Sequence, residues 1–165
     1  MNWLDKVIKL KNLFDKSPID VDVFFRQSKW LPGEINEIKK QYPFLSDSYI
    51  DFIEIYDETS IGGLRLRGSK GYKISLQKQI YNYKEILKDE YFPFGDDFGG
   101  NIYLFDKKGE VLFWDKNDYD FENPEVLASS FNEFMDKFLL GNSNGTFGWI
   151  SSDKLRETLQ YQGWV

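Results

Sequence analysis

The sequence predicts one mixed domain in which central β-strands are covered by helices. Three observations carry that expectation. Apolar residues recur at helical spacing in several separate segments. Two short runs, Ile102–Phe105 and Val111–Trp114, flank Asp106-Lys107-Lys108-Gly109, a four-residue loop of the kind that closes a β-hairpin. Both runs are apolar on both faces, as strands sandwiched between helices are. At 165 residues the chain has the size of one domain, residues 1–165, with enough apolar content (41%) to build a core.

The elements follow in order. Trp3, Val7, Leu10 and Phe14 share one face of a helix that stops before Pro18. Val21, Val23 and Phe25 alternate with more polar neighbours and predict a short strand. Pro32 opens a helix carrying Ile35, Ile38 and Tyr42. Ser46 or Asp47 caps a third helix whose stripe is Tyr49, Phe52, Ile53 and Tyr56. Ile61–Arg67 reads as a strand with a glycine-led entry, its Arg65 and Arg67 on a solvent face. Gln77–Glu90 is helical around Ile80, Tyr83, Ile86 and Leu87.

Tyr91–Phe105 then runs strand, turn, strand, with Gly95, Gly99 and Gly100 expected to shape the bend. Asn117–Asn123 is an acidic loop, and Val126-Leu127-Ala128 predicts a brief edge strand. Ser130 with Glu133 forms a capping box ahead of Phe131, Phe134, Met135 and Phe138, a helix ended by Gly141. Asn142–Thr146 reads as a linker. Ser152, Leu155, Leu159 and Trp164 predict a last short helix.

Composition narrows the chemistry. There is no cysteine, hence no thiol nucleophile or disulfide, which fits a cytoplasmic chain. There is no histidine, which removes the usual general base, the Ser-His and Cys-His systems and the commonest zinc ligand. The Gly95–Gly100 turn lacks the Lys-Ser/Thr pair of a phosphate loop, and its two aspartates would repel a phosphate. Asp115–Asp120 begins like a calcium loop but has Asp120 where glycine is required and Val126 where a bidentate glutamate is required. Magnesium on Asp96 and Asp97, or a glycosidase carboxylate pair, has no supporting pattern. The expectation is therefore a non-enzymatic protein with no catalytic residue, no cofactor and no metal.

The net charge of −6 is unevenly spread: residues 89–125 hold 11 Asp/Glu against 3 Lys/Arg, a net of −8. Such a block disfavours direct contact with nucleic acid and suits a basic protein partner. The apolar runs are shorter than the ~20 residues that cross a bilayer, and the N-terminus lacks the features of a signal peptide. Aromatic side chains within an acidic rim are common interface anchors. The expected partner-facing set is accordingly Asp96, Asp97, Trp114, Asp115, Asp118, Tyr119, Asp120, Phe121 and Glu122.

Several of these segments occur together in a known order. Leu31-Pro32 opens a helix, and Tyr49-Ile50-Asp51-Phe52-Ile53 leads to Ile61-Gly62-Gly63. Phe92-Pro93-Phe94-Gly95-Asp96 precedes Gly99-Gly100-Asn101 and the strand pair containing Val111. Ala128-Ser129-Ser130-Phe131-Asn132-Glu133-Phe134-Met135 follows. From about residue 31 to 140 this order resembles the SUKH superfamily, which includes yeast cell-wall-assembly regulators and bacterial toxin-immunity proteins. The chain departs from the family pattern at Asn101, where an aspartate is frequent, and at Thr59-Ser60-Ile61 before the paired glycines.

The resemblance implies an α+β fold, a single mainly antiparallel sheet packed by helices, with an N-terminal helix and a C-terminal helical tail outside its limits. It implies an immunity protein, a monomer or weak homodimer, that neutralises a cognate toxin by direct association. A basic nuclease is the expected partner. A regulatory protein-binding scaffold is the alternative.

Overall fold

Seven strands pair in chain order into one antiparallel sheet among the described residues of a computed structural model: 1–15, 23–69, 75–117, 121, 124–141 and 153–165. The strands are β1 (Val23–Gln27), β2 (Tyr56–Ile61), β3 (Leu64–Leu66), β4 (Phe92–Asp97), β5 (Ile102–Phe105), β6 (Val111–Trp114) and β7 (Glu125–Ala128). The helices are α1 (Trp3–Phe14), α2 (Pro32–Gln41), α3 (Asp47–Ile55), α4 (Leu76–Leu87), α5 (Phe131–Glu133) and α6 (Asp153–Tyr161). The α+β fold with one antiparallel sheet is thus as expected. The predicted linker, Ser152 and the Val21 end of the first strand lie outside the described residues.

The period-2 geometry of the strands gives the sheet two apolar faces. On β5, Tyr103 and Phe105 join the main core, to which α1, α2, α3, α5 and α6 contribute, while Ile102 and Leu104 point the other way. There they meet Leu112, Trp114 and Leu87 of α4, with Tyr83 and Phe121 packed alongside. Both hairpin strands are therefore covered on both sides.

Tyr49 of α3 is the hub of the main core. Its ring meets Phe105 at 5.0 Å, Phe131 at 5.4 Å and both Phe92 and Phe94 at 5.8 Å, all edge to face. Its hydroxyl is buried without a hydrogen-bond partner among the described residues, and burial pushes the phenol far above its ordinary pKa.

Local chemistry explains most boundaries. Asn2 caps α1 by accepting the Asp5 N–H at 2.9 Å, and Ser46 caps α3 by accepting the Tyr49 N–H at 3.3 Å. In the β5–β6 hairpin, Gly109 adopts φ 79° and its N–H donates to the Asp106 carbonyl at 3.0 Å. The Asp106 carboxylate accepts the Lys108 and Glu110 N–H groups, each at 2.9 Å.

Three expectations need correction. Helix α3 ends at Ile55, and Tyr56 opens a strand that periodicity did not predict. Strand β2 is polar in sequence yet almost wholly buried, because its polar groups find fixed partners. Asp57 accepts from the Ser69 N–H and, at 2.6 Å, from the Ser69 hydroxyl. The paired glycines do not lead a strand but turn β2 into β3, with Gly62 at φ 63°. Finally, the helix after Ser130 is α-helical only over α5 and continues as a π-helix over Phe134–Leu139, its Leu140 N–H reaching the Met135 carbonyl at 3.0 Å.

The capping box is also displaced. Ser130 accepts the Glu133 N–H at 3.2 Å, but Glu133 returns to the Ser129 N–H at 2.9 Å and to the Ser129 hydroxyl, and it pairs with Lys137 at 2.7 Å. The hydrogen bonds from Lys137 and Ser129 hold the Glu133 carboxyl at about 2.

Two outcomes follow. Because its hydroxyl bonds to nothing among the described residues, Tyr49→Phe should leave the urea midpoint unchanged or raise it, whereas Tyr49→Ala should cost about 3–5 kcal/mol. Because the folded Glu133 pKa lies below its unfolded value, its contribution is present above the ordinary carboxylate range and lost as pH falls toward about 2. Thermal melts over that acid range should therefore fall less steeply for Glu133→Gln than for the parent chain.

Candidate partner-binding site

The turn Phe98–Gly100 joins β4 to β5, and β6 ends beside it because Trp114 pairs with Ile102 in the register of the hairpin. The two stretches singled out in the sequence thus meet at one end of the sheet. The Lys116 N–H donates to Asn101 Oδ1 at 3.3 Å, and the Lys116 side chain lies over Gly100.

The aspartates of the turn are internal ties. Asp97 is fully buried: its carboxylate accepts the Asn101 N–H at 3.0 Å and the Asn101 side-chain amide at 2.8 Å, closing the bend. Asp96 is 5% exposed and faces β3, where Arg65 is its register partner. Arg65 Nε donates to Asp96 Oδ1 at 3.1 Å, and Arg67 Nε to Oδ2 at 2.7 Å, with a further bond from Arg67 Nη2. Gln79 of α4 reaches the same carboxylate at 3.4 Å and the Gly95 carbonyl at 3.3 Å. Glu58 lies 3.9 Å from Arg67 and 3.5 Å from Arg26, extending the charges across the sheet. Burial pushes the Asp96 carboxyl up from its usual range, opposed by the two arginines.

Arg65 of β3 and Arg67 directly after it were expected in solvent. Arg67 is instead buried, because helix α4 covers that face and Asp96 supplies its counter-charge; Arg65 is half-buried. The expectation that Asp96 and Asp97 face a partner fails for the same reason. Trp114 is likewise core, edge to face with Tyr83 at 5.7 Å and Phe121 at 5.0 Å. Phe121, half-buried, also meets Tyr91 at 4.9 Å.

Of the expected contact residues, Asp115 is exposed, accepting the Asn117 N–H at 2.8 Å. Asp118, Tyr119, Asp120 and Glu122 lie outside the described residues. The surface at this end includes a residue that periodicity had left aside: Phe98, 66% exposed at the tip of the turn, with the Arg65 guanidinium 5.3 Å from its ring centroid. The signal for it was present as a large aromatic directly before paired glycines, a place where a core side chain is out of reach of the core.

Two glycines make this tip possible. A Cβ on Gly95, which sits within β4 and not in the bend, would lie 2.8 Å from the Arg65 carbonyl and force the strands apart. Gly100 has φ 85°, a conformation L side chains avoid. Gly99 lies between the Asp97 carboxylate and the Asn101 amide.

Removing the charge of Asp96 leaves Arg67 buried against a neutral group. Asp96→Asn should therefore cost roughly 3 kcal/mol in urea unfolding, while Phe98→Ala at the exposed tip should stay within about 0.5 kcal/mol.

Among the described residues, no group of His, Cys, Asp and Glu is arranged to hold a metal ion, and no helix is long and apolar enough to cross a membrane. A search of curated proteins returned no match. Over residues 31–137, from the start of α2 into the π-helix, the sequence matches the model of the SMI1 / KNR4 family (SUKH-1), and the chain belongs to that family.

Proposed function

We propose that this chain is an immunity protein that neutralises a cognate toxin by direct, non-catalytic association, and that the toxin is a basic domain such as a nuclease. The carrying observation is membership of the SMI1 / KNR4 family (SUKH-1), which is consistent with a toxin-immunity or SMI1-like protein acting through protein–protein contact. Charge supports the basic partner: the chain carries −6 overall, and the exposed Asp89, Asp115 and Glu125 belong to its most acidic stretch. The contact proposed is the end of the sheet where Phe98, on a turn held by Asp96 and Asp97, lies with Asp115, which follows β6. An exposed aromatic on a rigid support loses little conformational freedom on binding, which favours it as an anchor.

The test is co-expression with the toxin encoded beside this gene. The expected outcome is protection of the cell, with binding in the nanomolar range or tighter and an association rate that falls as salt is raised. Phe98→Ala and Asp115→Lys should each weaken binding about tenfold or more without unfolding the chain. No binding and no protection would sink the immunity reading. Capture of several endogenous partners in place of a toxin would favour the regulatory-scaffold reading.

A further inference from the structure

A second surface lies at the opposite end of β4 from the Phe98 turn, in the seam between α2 and α4. Two adjoining cavities of about 170 Å³ and 210 Å³ share Gln41, Tyr42, Gln77 and Ile80 as walls. Together they form a groove that runs from the first turn of α2 to the last turn of α4. Ile38, Tyr42, Ile80, Leu87 and Pro93 supply apolar lining among polar and charged side chains.

The groove is polarised along its length. Glu34 and Glu37 line one end, whereas Lys84 and Lys88 line the other, with Asp89 beside them as the acidic lining residue among the described residues. In the middle, the Gln77 side-chain oxygen is buried and has no hydrogen-bond partner among the described residues. A buried acceptor left unpaired is costly, which makes the wall at Gln77 the least settled part of the groove. Nearby, the Tyr42 hydroxyl accepts from the Gln41 amide at 3.3 Å, and burial, with the charge of Asp89, raises its pKa so that it stays a neutral phenol.

Lys88 adds an independent observation. It closes α4 with φ 51° and ψ −149°, backbone angles that glycine adopts readily and side-chain-bearing residues rarely do. A lysine held in that conformation keeps an ammonium at the groove's cationic end at the expense of backbone ease.

We infer that the α2–α4 groove binds an extended segment of a protein partner. The segment carries a basic side chain toward Glu34 and Glu37 and an acidic side chain toward Lys84 and Lys88. Charge complementarity selects this occupant: a uniformly acidic or basic segment would meet its own sign at one end. An extended chain of a few residues also reaches both charged ends of the groove at once. The inference rests on the reading that the chain works by gripping a protein, yet it concerns a surface separate from the Phe98 turn.

The probe is a blocked hexapeptide with two arginines at one end, two glutamates at the other and small polar residues between; about six extended residues span ~20 Å. It is titrated into the full-length, isotope-labelled chain and followed by NMR. The expected result is shifts centred on Gln77, Ile80 and Lys84, with affinity at least about tenfold above that for all-arginine or all-glutamate hexapeptides. Lys84→Glu should lower that affinity about tenfold.

Lys88→Gly separates binding from folding. It should raise Tm by about 2–4 °C by relieving the backbone, yet weaken the hexapeptide. Equal binding of the three peptides, shifts centred elsewhere, or unchanged affinity in Lys88→Gly would each overturn the inference. No toxin enters this experiment, so its failure and a failure of protection in co-expressing cells are separately readable.

Discussion

The fold turns on one pairing, Arg67 with Asp96 beneath helix α4. A sheet buried on both faces must place every inward side chain in a low-dielectric setting, and an unpaired charge there is far costlier than an exposed one. Strand β3 and the residue after it bring Arg65 and Arg67 to that face; β4 brings the aspartate that accepts from both, and Gln79 closes the cluster from the helix above. The register of β3 on β4 is thereby fixed by charge as well as by backbone hydrogen bonds, since a one-residue slip would turn Asp96 to the aromatic face. Everything downstream of β4, including the turn at Phe98, inherits its position from this pairing.

The same pairing changes what the acidic stretch means. Counted along the chain, residues 89–125 are strongly negative. Folded, Asp96 and Asp97 are buried, while Glu90 and Glu110 lie beside Lys107 and Lys108. The surface at the turn is consequently a mixture, with Arg65 against the exposed Phe98 and Lys116 over Gly100 beside Asp115. That composition favours a contact built on one aromatic anchor with charges as orienting groups over a broad mimic of a phosphate backbone.

Much of this architecture was legible because it is local. Helix α1, the proline-led α2, the Ser46 cap and the Asp106–Gly109 loop depend on residues within one or two turns of each other, and spacing alone finds them. The order of segments between residues 31 and 140 was enough to point to the family. What was not legible depends on distant partners. Strand β2 is polar in sequence, and its burial makes sense only once Ser69 is seen to hold Asp57. Arg65 and Arg67 alternate with leucines as a solvent face would, and only the pairing with a residue some thirty positions later reveals them as internal. Trp114 was misjudged in the same way: its covering helix, α4, lies earlier in the chain, out of reach of any local pattern.

Helix α1 lies wholly outside residues 31–137, yet it is stitched to the centre of the molecule. Val7 and Leu10 are fully buried in the main core; Trp3 donates to Asn132 at 2.6 Å; Lys6 reaches the Asp136 and Leu140 carbonyls at the end of the π-helix, at 3.4 and 3.3 Å. A π-helix leaves unpaired carbonyls at its end, and here the ammonium that answers them comes from more than a hundred residues away. The stretch that matches the family and the stretch whose side chains interlock are therefore different lengths of chain, and cutting this protein at residues 31 and 137 would separate a lock from its key.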